Sequence, residues 1–221
     1  LLSTPADRLN ALVLPRLVDP HVHLDKAFTW STHPNLGGTY DGALEANMRE
    51  HGIRDLQAVL ARGDLAISRA CDHGLRAMRS HIDSLGPGAD ASWEALQALK
   101  TQWHGQVELQ LVALVPIAHW STTEGKQLAQ RVAASGGLLG GVLVPPCRGE
   151  SVRRGLRALL TLAEALGCGI CLHVDEANHG PAQGLQQLPR ALEQVPCRQP
   201  ITCSHASSLA LLSPQRLRRL A

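Results

Sequence analysis

Short apolar runs alternate with longer amphipathic stretches along the 221-residue chain. The apolar runs are rich in valine, leucine and isoleucine, which favours buried strands, and the stretches between them have the periodicity of amphipathic helices. The runs begin near Leu17, Ala77, Leu109, Gly141, Ile170 and Ile201. After the first run, which a long insertion follows, the runs are about 30 residues apart, the length of one βα unit. The pattern predicts six such units.

The amphipathic stretches carry signals for helix starts and stops. The insertion after the first run, residues 41–70, is predicted to hold a broken helix or two helices. Further predicted signals are Asp90 or Ser92 as the cap of a helix that runs to His104, a capping box at Ser121–Glu124, a helix start at Ser151 with a stop at Gly167, and a cap at Ser213 before Pro214.

Apolar strands joined by helical crossovers predict a parallel sheet that is covered on both faces. The candidates are a doubly wound open sheet and a (β/α)8 barrel. No Gly-x-Gly-x-x-Gly turn follows the first run, whereas polar residues collect at the ends of several runs, as they do at the mouth of a TIM barrel. We therefore predict an α/β protein with the (β/α)8 fold. Six units instead of eight predict a truncated single barrel domain over residues 1–221.

Composition excludes several classes of protein. Charged residues make up 18% of the chain and the net charge is +2, which does not indicate binding to nucleic acid or to an anionic membrane. No apolar run approaches the roughly 20 residues that cross a bilayer. The six cysteines come without the pattern of a secretory leader, which predicts a reduced, cytoplasmic protein. Cys168 and Cys171 have the spacing of a redox or zinc motif, but we interpret them as small buried core residues.

The first apolar run, residues 12–18, leads directly into Asp19-Pro20-His21-Val22-His23. Residues two apart on a strand point the same way, so His21 and His23 would aim two imidazoles at one point. Neutral imidazole is a common ligand for zinc and iron. The pair alone fits metal binding and two ordinary histidines near a strand end equally well.

Further polar residues follow the later runs. His173 and Asp175 would share one face of the fifth strand, Glu176 would reach the same mouth, and His205 ends the sixth. A buried neutral histidine needs a hydrogen-bond partner, and here the partners would be one another or an ion. The set therefore favours a metal site. Supporting or surface roles are the default for three further histidines, His33, His81 and His119.

Other residues near strand ends are candidates for supporting the ligands or lining the substrate site. Asp83 ends the second run, two residues after His81. Trp30 and Trp120 follow the first and third runs in a chain with only 3% aromatic residues. Each tryptophan either lines a planar heterocycle or packs within its loop.

Four of these motifs, in order and spacing, resemble the cytosine deaminase branch of the amidohydrolase superfamily. They are His21-x-His23 after Leu-Val-Asp-Pro, Arg79-Ser80-His81-Ile82-Asp83, His173-Val174-Asp175-Glu176 and Ser204-His205, and the resemblance covers about residues 12–212. It implies a distorted (β/α)8 barrel with one iron or zinc ion in its mouth. It also implies a small β-sandwich built from both termini, of which the N-terminal segment is expected to be absent here.

The resemblance also implies roles for individual residues. His21, His23 and His173 would be metal ligands, Glu176 the proton shuttle, and His205 the residue that orients or deprotonates the metal-bound water. The family's fourth ligand, an aspartate that ends the eighth strand, has no counterpart in this sequence. Binuclear relatives carry a lysine at the end of the fourth strand, whereas residues 141–147 contain none. A mononuclear site follows.

The expected function is that of a metal-dependent hydrolase of non-peptide C–N bonds. Its leading form is hydrolytic deamination of cytosine or a related small nitrogen heterocycle by a metal-bound hydroxide, although Pro145-Pro146-Cys147 departs from the polar strand end expected for cytosine. The alternatives are an N-substituted aminotriazine or cyclic-amide amidohydrolase, and a truncated, inactive metal-binding remnant. The expected partner is a small heterocyclic substrate, with neither nucleic acid nor membrane, and a homo-oligomer is left open.

Overall fold

Six parallel strands, hydrogen-bonded in sequence order, form the sheet at the centre of the protein. The computed structural model describes residues 14–220, so the beginning of the predicted first run at Leu12 lies outside the described residues. The strands are β1 (Leu17–Val22), β2 (Leu75–Asp83), β3 (Glu108–Leu114), β4 (Leu138–Leu143), β5 (Ile170–Val174) and β6 (Ile201–His205). All six predicted strands are confirmed.

The sheet curves into a nearly closed barrel. The ring centroids of His21 on β1 and His205 on β6 are only 4.6 Å apart. Nearer the middle of the strands, the Arg79 guanidinium on β2 donates a hydrogen bond across the interior to the Thr202 hydroxyl on β6, at 3.2 Å. Contacts between the first and last strands of a six-stranded sheet require this curvature. The prediction of a partial (β/α)8 barrel is confirmed.

β1 differs from its predicted bounds. It runs over Leu17–Val22, so it extends past Val18 and ends between the two predicted ligands, His21 on the strand and His23 directly after it. Leu17 and Val18 are about half exposed, although the apolar run predicts a buried strand. The reason is that β1 is an edge strand of the described sheet, where it pairs with β2.

Helices connect the strands and cover the outside of the barrel. They are α1 (Tyr40–His51), α2 (Leu56–Asp72), α3 (Ala89–Gln102), α4 (Thr123–Ala134), α5 (Glu150–Leu166), α6 (Gln183–Gln194) and α7 (Pro214–Leu220). Short 3-10 turns cover Leu24–Lys26, Thr29–Ser31, Ile117–Ser121 and Ser207–Leu211. The insertion between β1 and β2 thus holds two helices, as predicted. Within residues 14–220, no helix is both long enough and apolar enough to span a membrane.

The predicted helix caps are partly right. The capping box predicts Ser121 as the cap of α4, but the helix begins one residue later, and Thr122 caps it by accepting a hydrogen bond from the Gly125 amide at 3.0 Å. Two other predictions are wrong, because α3 follows Gly88 and α5 follows Gly149. Gly149 has a φ of 98°, which glycine adopts readily, so the chain turns there, two residues before the predicted start at Ser151.

The core lies between the sheet and the helices, and α5 is an example of a helix that packs its apolar residues into it. Leu156, Leu159, Leu160 and Ala163 are all buried, and they form one apolar face of that helix. Burying one leucine side chain contributes about 1.5–3 kcal/mol. The buried Cys168 and Cys171 agree with their interpretation as core residues, and all six cysteines are free thiols.

Candidate metal and catalytic site

Five imidazoles from four strands gather at the carboxyl ends of the barrel strands. They belong to His21 on β1, His23 directly after it, His81 on β2, His173 on β5 and His205 on β6. The His21 ring centroid lies 4.1 Å from that of His81 and 4.6 Å from that of His173. The parallel strands place these residues together, because their carboxyl ends all open at one mouth.

Two geometric relationships within the cluster suit a metal ion. One ring nitrogen from each of His21, His81 and His173 lies within 4.8 Å of the other two. In addition, Nε2 of His23 lies 3.3 Å from Nε2 of His173. Nitrogens that share a tetrahedral zinc ion at 2.0–2.1 Å are about 3.4 Å apart, so modest side-chain rotations would bring either set of rings onto one ion.

Several of these nitrogens are buried without a hydrogen-bond partner among residues 14–220. They include both ring nitrogens of His21 and Nδ1 of His23, His81 and His173. Burial and then the neighbouring positive charges lower the pKa of His23 and His81 to about 3 and that of His173 to about 2. Such imidazoles are neutral at pH 7, which is the form that binds a metal. The donor set therefore fits a zinc or iron ion.

The structure brings together the three predicted ligands and adds His81 to them. The ring of His81 is closer to His21 than that of His23 is, with centroid distances of 4.1 Å and 5.3 Å. Strand alternation was the available signal, because it places His81 on the same face of β2 as Arg79, which points into the barrel.

Glu176 and His205 meet beside the imidazole cluster. Oε2 of Glu176 lies 3.7 Å from Nε2 of His205, and the two side chains are 29% and 26% exposed. The ring centroid of His205 is 4.7 Å from that of His173. A carboxylate and an imidazole at this distance can exchange a proton through a small movement or one water molecule.

Asp175 does not point into the cluster. Its carboxylate is buried and accepts hydrogen bonds from the amides of Gly184 and Leu185 at 2.7 and 3.0 Å, at the start of α6. Strand alternation predicts a face shared with His173, but β5 ends at Val174 and Asp175 turns into the left-handed region with a φ of 53°. That turn leaves Asp175 to cap α6 and Glu176 to face His205.

A cavity of about 810 Å³ opens next to Glu176. Its polar lining includes Tyr40 at the start of α1, and Asn178 and His179 after β5. Burial and the nearby Glu176 carboxylate raise the pKa of the Tyr40 hydroxyl. Sequence reasoning missed Tyr40, although it is the single tyrosine of the chain and directly precedes the predicted helices at residues 41–70.

The two candidate tryptophans lie in different surroundings. Trp120 is fully buried, and its ring nitrogen donates a hydrogen bond to the Gly140 carbonyl at 2.8 Å. Of the two roles considered for Trp120, packing is therefore the one that the structure supports. Trp30 is 61% exposed in the turn Thr29–Ser31, and the cavity lining found in residues 14–220 does not include it.

The other candidates have supporting contacts. Asp83, at the end of β2, accepts hydrogen bonds from Lys26 at 2.8 Å and from Asn47 at 3.2 Å. His33 is bonded to the neighbouring Thr32, and the ring of His119 lies against Trp120 with a centroid distance of 6.3 Å. Both of these histidines are outside the imidazole cluster, in agreement with the default role given to them.

Known proteins resemble the chain over nearly its whole length. It is 31% identical over 207 residues to a pterin deaminase from Rhizobium rhizogenes, in an alignment that covers 93% of this chain and 47% of that protein. A crystal structure of N-isopropylammelide isopropylaminohydrolase from Burkholderia multivorans superimposes with a TM-score of 0.71 at 27% identity, over 93% of this chain and 52% of the other. These similar proteins are members of the amidohydrolase superfamily, and the resemblance to that superfamily is confirmed.

Two further proteins resemble the chain over nearly its whole length. The chain is 24% identical to an N-isopropylammelide isopropyl amidohydrolase from Pseudomonas, over 92% of this chain and 53% of that protein. A 5-methylcytosine deaminase from Klebsiella pneumoniae superimposes with a TM-score of 0.78 at 24% identity, over 93% of this chain and 50% of the other, which supports the fold. No family model matches the chain. The chain spans about half the length of the curated relatives that it matches.

Proposed function

We propose that the protein holds one zinc or iron ion at the imidazole cluster and hydrolyses a C–N bond of a small nitrogen heterocycle, with deamination as the reaction. The observation that carries this proposal is the convergence of buried, unpartnered imidazole nitrogens from β1, β2 and β5 beside the Glu176–His205 pair. Buried imidazoles that serve only to pack a core normally have hydrogen-bond partners. A cation that accepts their lone pairs accounts for the arrangement.

The proposed ligands are His21, His23 and His173. His173 belongs to both geometric relationships and His21 to the set within 4.8 Å, and the 3.3 Å contact between His23 and His173 supports His23 as the third ligand. His81 is the competing third ligand, because its ring nitrogen completes the set within 4.8 Å. Removing each side chain separately distinguishes the two.

The proposed chemistry divides between the ion and the side chains. The bound ion would lower the pKa of water towards neutrality and so supply hydroxide for attack on the ring carbon. Nε2 of His205 lies 3.7 Å from the Glu176 carboxylate, so His205 can hold a proton there and pass it to Glu176. Glu176 would then protonate the departing amine, since ammonia leaves far more readily than its anion.

The cavity supports a planar substrate with polar edges. Val144, Pro145 and Leu211 give it apolar walls, while Asn178 and Tyr40 add groups that donate or accept hydrogen bonds. Its volume of about 810 Å³ lies within the usual range for small-molecule sites. The pterin deaminase and 5-methylcytosine deaminase among the similar proteins support an amino-substituted heterocycle as the substrate class.

A second candidate reaction is the release of a substituted amine from the ring. The two similar proteins named for N-isopropylammelide favour it, and the same ligands and proton relay would serve it. The two reactions differ in their product, which is ammonia in the first and an alkylamine in the second.

The test is a product assay on the metal-loaded protein. Pterin, cytosine, 5-methylcytosine and N-isopropylammelide are incubated with it, and ammonia and isopropylamine are quantified separately. Ammonia from one of the first three supports deamination, and isopropylamine supports the second candidate. Release of neither product by protein that retains one ion per chain would contradict both.

We also propose a cytoplasmic location, which the six free thiols support. The measurement is the distribution of the protein between cell fractions.

A further inference from the structure

The inner side of the α1–α2 insertion is charged, and part of its outer side is apolar. Glu50 on α1 and Arg54, between the two helices, are 4% and 7% exposed. Leu44 and Met48 on α1 are 51% and 60% exposed. Helices that cover a sheet normally bury their apolar stripe. The buried charged residues therefore point to a role at the place where the insertion meets the ends of β1 and β2.

Arg54 is the centre of the buried charges. Its side chain is fully buried, and Nη1 lies 2.9 Å from Oδ2 of Asp25 and donates to the Ser92 hydroxyl at 3.0 Å. Its Nε donates to Glu50 at 2.8 Å, and Nη2 lies 3.5 Å from Oδ2 of Asp83. A guanidinium presents five donors in a planar fork, which suits simultaneous contacts in several directions.

The two aspartates of this network lie next to the histidines. Asp25 is two residues after His23, and Asp83 is two residues after His81. The Asp83 amide also donates to Oδ2 of Asp25 at 3.0 Å, so the end of β2 is tied to the turn after β1. Because Asp25 is fully buried beside a second carboxylate, the pair requires nearby cations for charge compensation. Arg54 pairs with the buried Asp25 at 2.9 Å, and Lys26 pairs with Asp83 at 2.8 Å.

We propose that Arg54 is a positioning residue for the metal site: it ties the turn after β1 to the end of β2, and thereby holds His21 and His23 in place beside His173. The role rests on the proposed metal site. Lysine at position 54 would keep a charge but could not contact Asp25, Glu50 and Asp83 from one planar group. Outer contacts of this kind typically change metal affinity about 10–100-fold.

The test uses the full chain and two measurements of metal binding. Arg54→Lys and Arg54→Met are compared with the wild type by zinc competition against a chelator and by the visible spectrum of the cobalt(II)-loaded protein. Arg131→Met is the matched control, since Arg131 pairs with Asp90 at 2.6 Å on the surface. We expect both Arg54 variants to bind zinc about 10–100-fold more weakly and to change the cobalt spectrum, and the control to do neither.

Asp25→Asn provides a second variant in case the Arg54 variants do not fold, because it keeps the shape of the side chain and removes its charge. We expect the cobalt spectrum of Asp25→Asn to change in the same direction as the spectra of the Arg54 variants. Folded Arg54→Lys, or folded Asp25→Asn, with wild-type affinity and spectrum would overturn the proposed role. A wild-type protein that binds no zinc would instead contradict the metal site itself, and this role with it.

Discussion

Nε2 of His205 lies 3.7 Å from Oε2 of Glu176, and the backbone holds both residues in place through left-handed turns. His205 has a φ of 67°, and Asp175, directly before Glu176, has a φ of 53°. The left-handed region costs residues other than glycine about 1–2 kcal/mol. Strain of this kind collects at functional sites. The turns end β5 and β6 where a carboxylate and an imidazole face each other across neighbouring strands.

Glu176→Gln tests the proton relay. Glutamine keeps the size of the side chain but cannot carry a proton to the leaving amine, so we expect product formation to fall about 100–10,000-fold. The metal content should stay at the wild-type value. The assay is initial-rate release of amine with parallel elemental analysis. Glu193→Gln, an exposed change on α6, is the control.

Single alanine substitutions test the ligand set. We expect His21→Ala, His23→Ala and His173→Ala to lose stoichiometric metal after dialysis, because each would remove a ligand. We expect His81→Ala to retain it. Elemental analysis of each purified variant measures this, and His104→Ala, at an exposed position, is the control. Loss of metal in His81→Ala together with retention in His23→Ala would assign the third ligand to His81.

The stability of the protein should depend on pH through Glu50. Burial alone would raise the pKa of this carboxyl, but hydrogen bonds from Arg54 and Arg62 outweigh burial and hold the pKa below its ordinary value of 4.5. The unfolded chain therefore binds the proton more readily than the folded protein does. The stabilisation is fully present above pH 4.5 and is lost as the pH falls through the lowered folded-state pKa.

Urea denaturation between pH 6 and pH 3 measures this effect. In Glu50→Gln we expect a lower free energy of unfolding at pH 6 and a smaller loss of it on acidification. Glu45→Gln, an exposed change on the same helix, should keep the wild-type pH dependence. If the free energy of unfolding fell equally steeply with pH in Glu50→Gln and the wild type, the Glu50 carboxylate would not be the source of the pH dependence.

The two tryptophans should differ in their effect on stability. Trp120 is fully buried and satisfies the Gly140 carbonyl, so we expect Trp120→Ala to lower the free energy of unfolding by about 3–5 kcal/mol. Trp30 is 61% exposed, and we expect Trp30→Ala to change it by less than about 0.5 kcal/mol. Chemical denaturation of both variants gives the comparison. Equal effects would contradict the packing role of Trp120.

The barrel could be predicted from sequence because its signals are local. Each strand is a short apolar run, and each polar residue at a strand end is read by its position in that run. The same locality explains the errors at β1 and Asp175. Burial of Leu17 depends on which strands lie beside it, and the direction of the Asp175 side chain depends on a backbone turn that strand alternation does not include.

The remaining parts of the site depend on contacts between residues far apart in the chain. Arg54 meets Asp25 and Asp83, each 29 residues away in sequence, and no periodicity links them. Tyr40 lines the same cavity as Glu176, and the length of an insertion does not reveal which residues its helices approach. His81 was recognisable as an inward-facing residue, but its distance to His21 follows from the pairing of β1 with β2.

Helix α1 separates the cavity from the buried charges around Arg54. Tyr40 begins α1 at the cavity, and Glu50 lies near the other end against Arg54. Twelve helical residues span about 18 Å, so changes in the first turn of α1 are remote from the buried charges. Under the proposed function, residues around Tyr40 could therefore vary to suit a different heterocycle while the contacts of Arg54 are preserved.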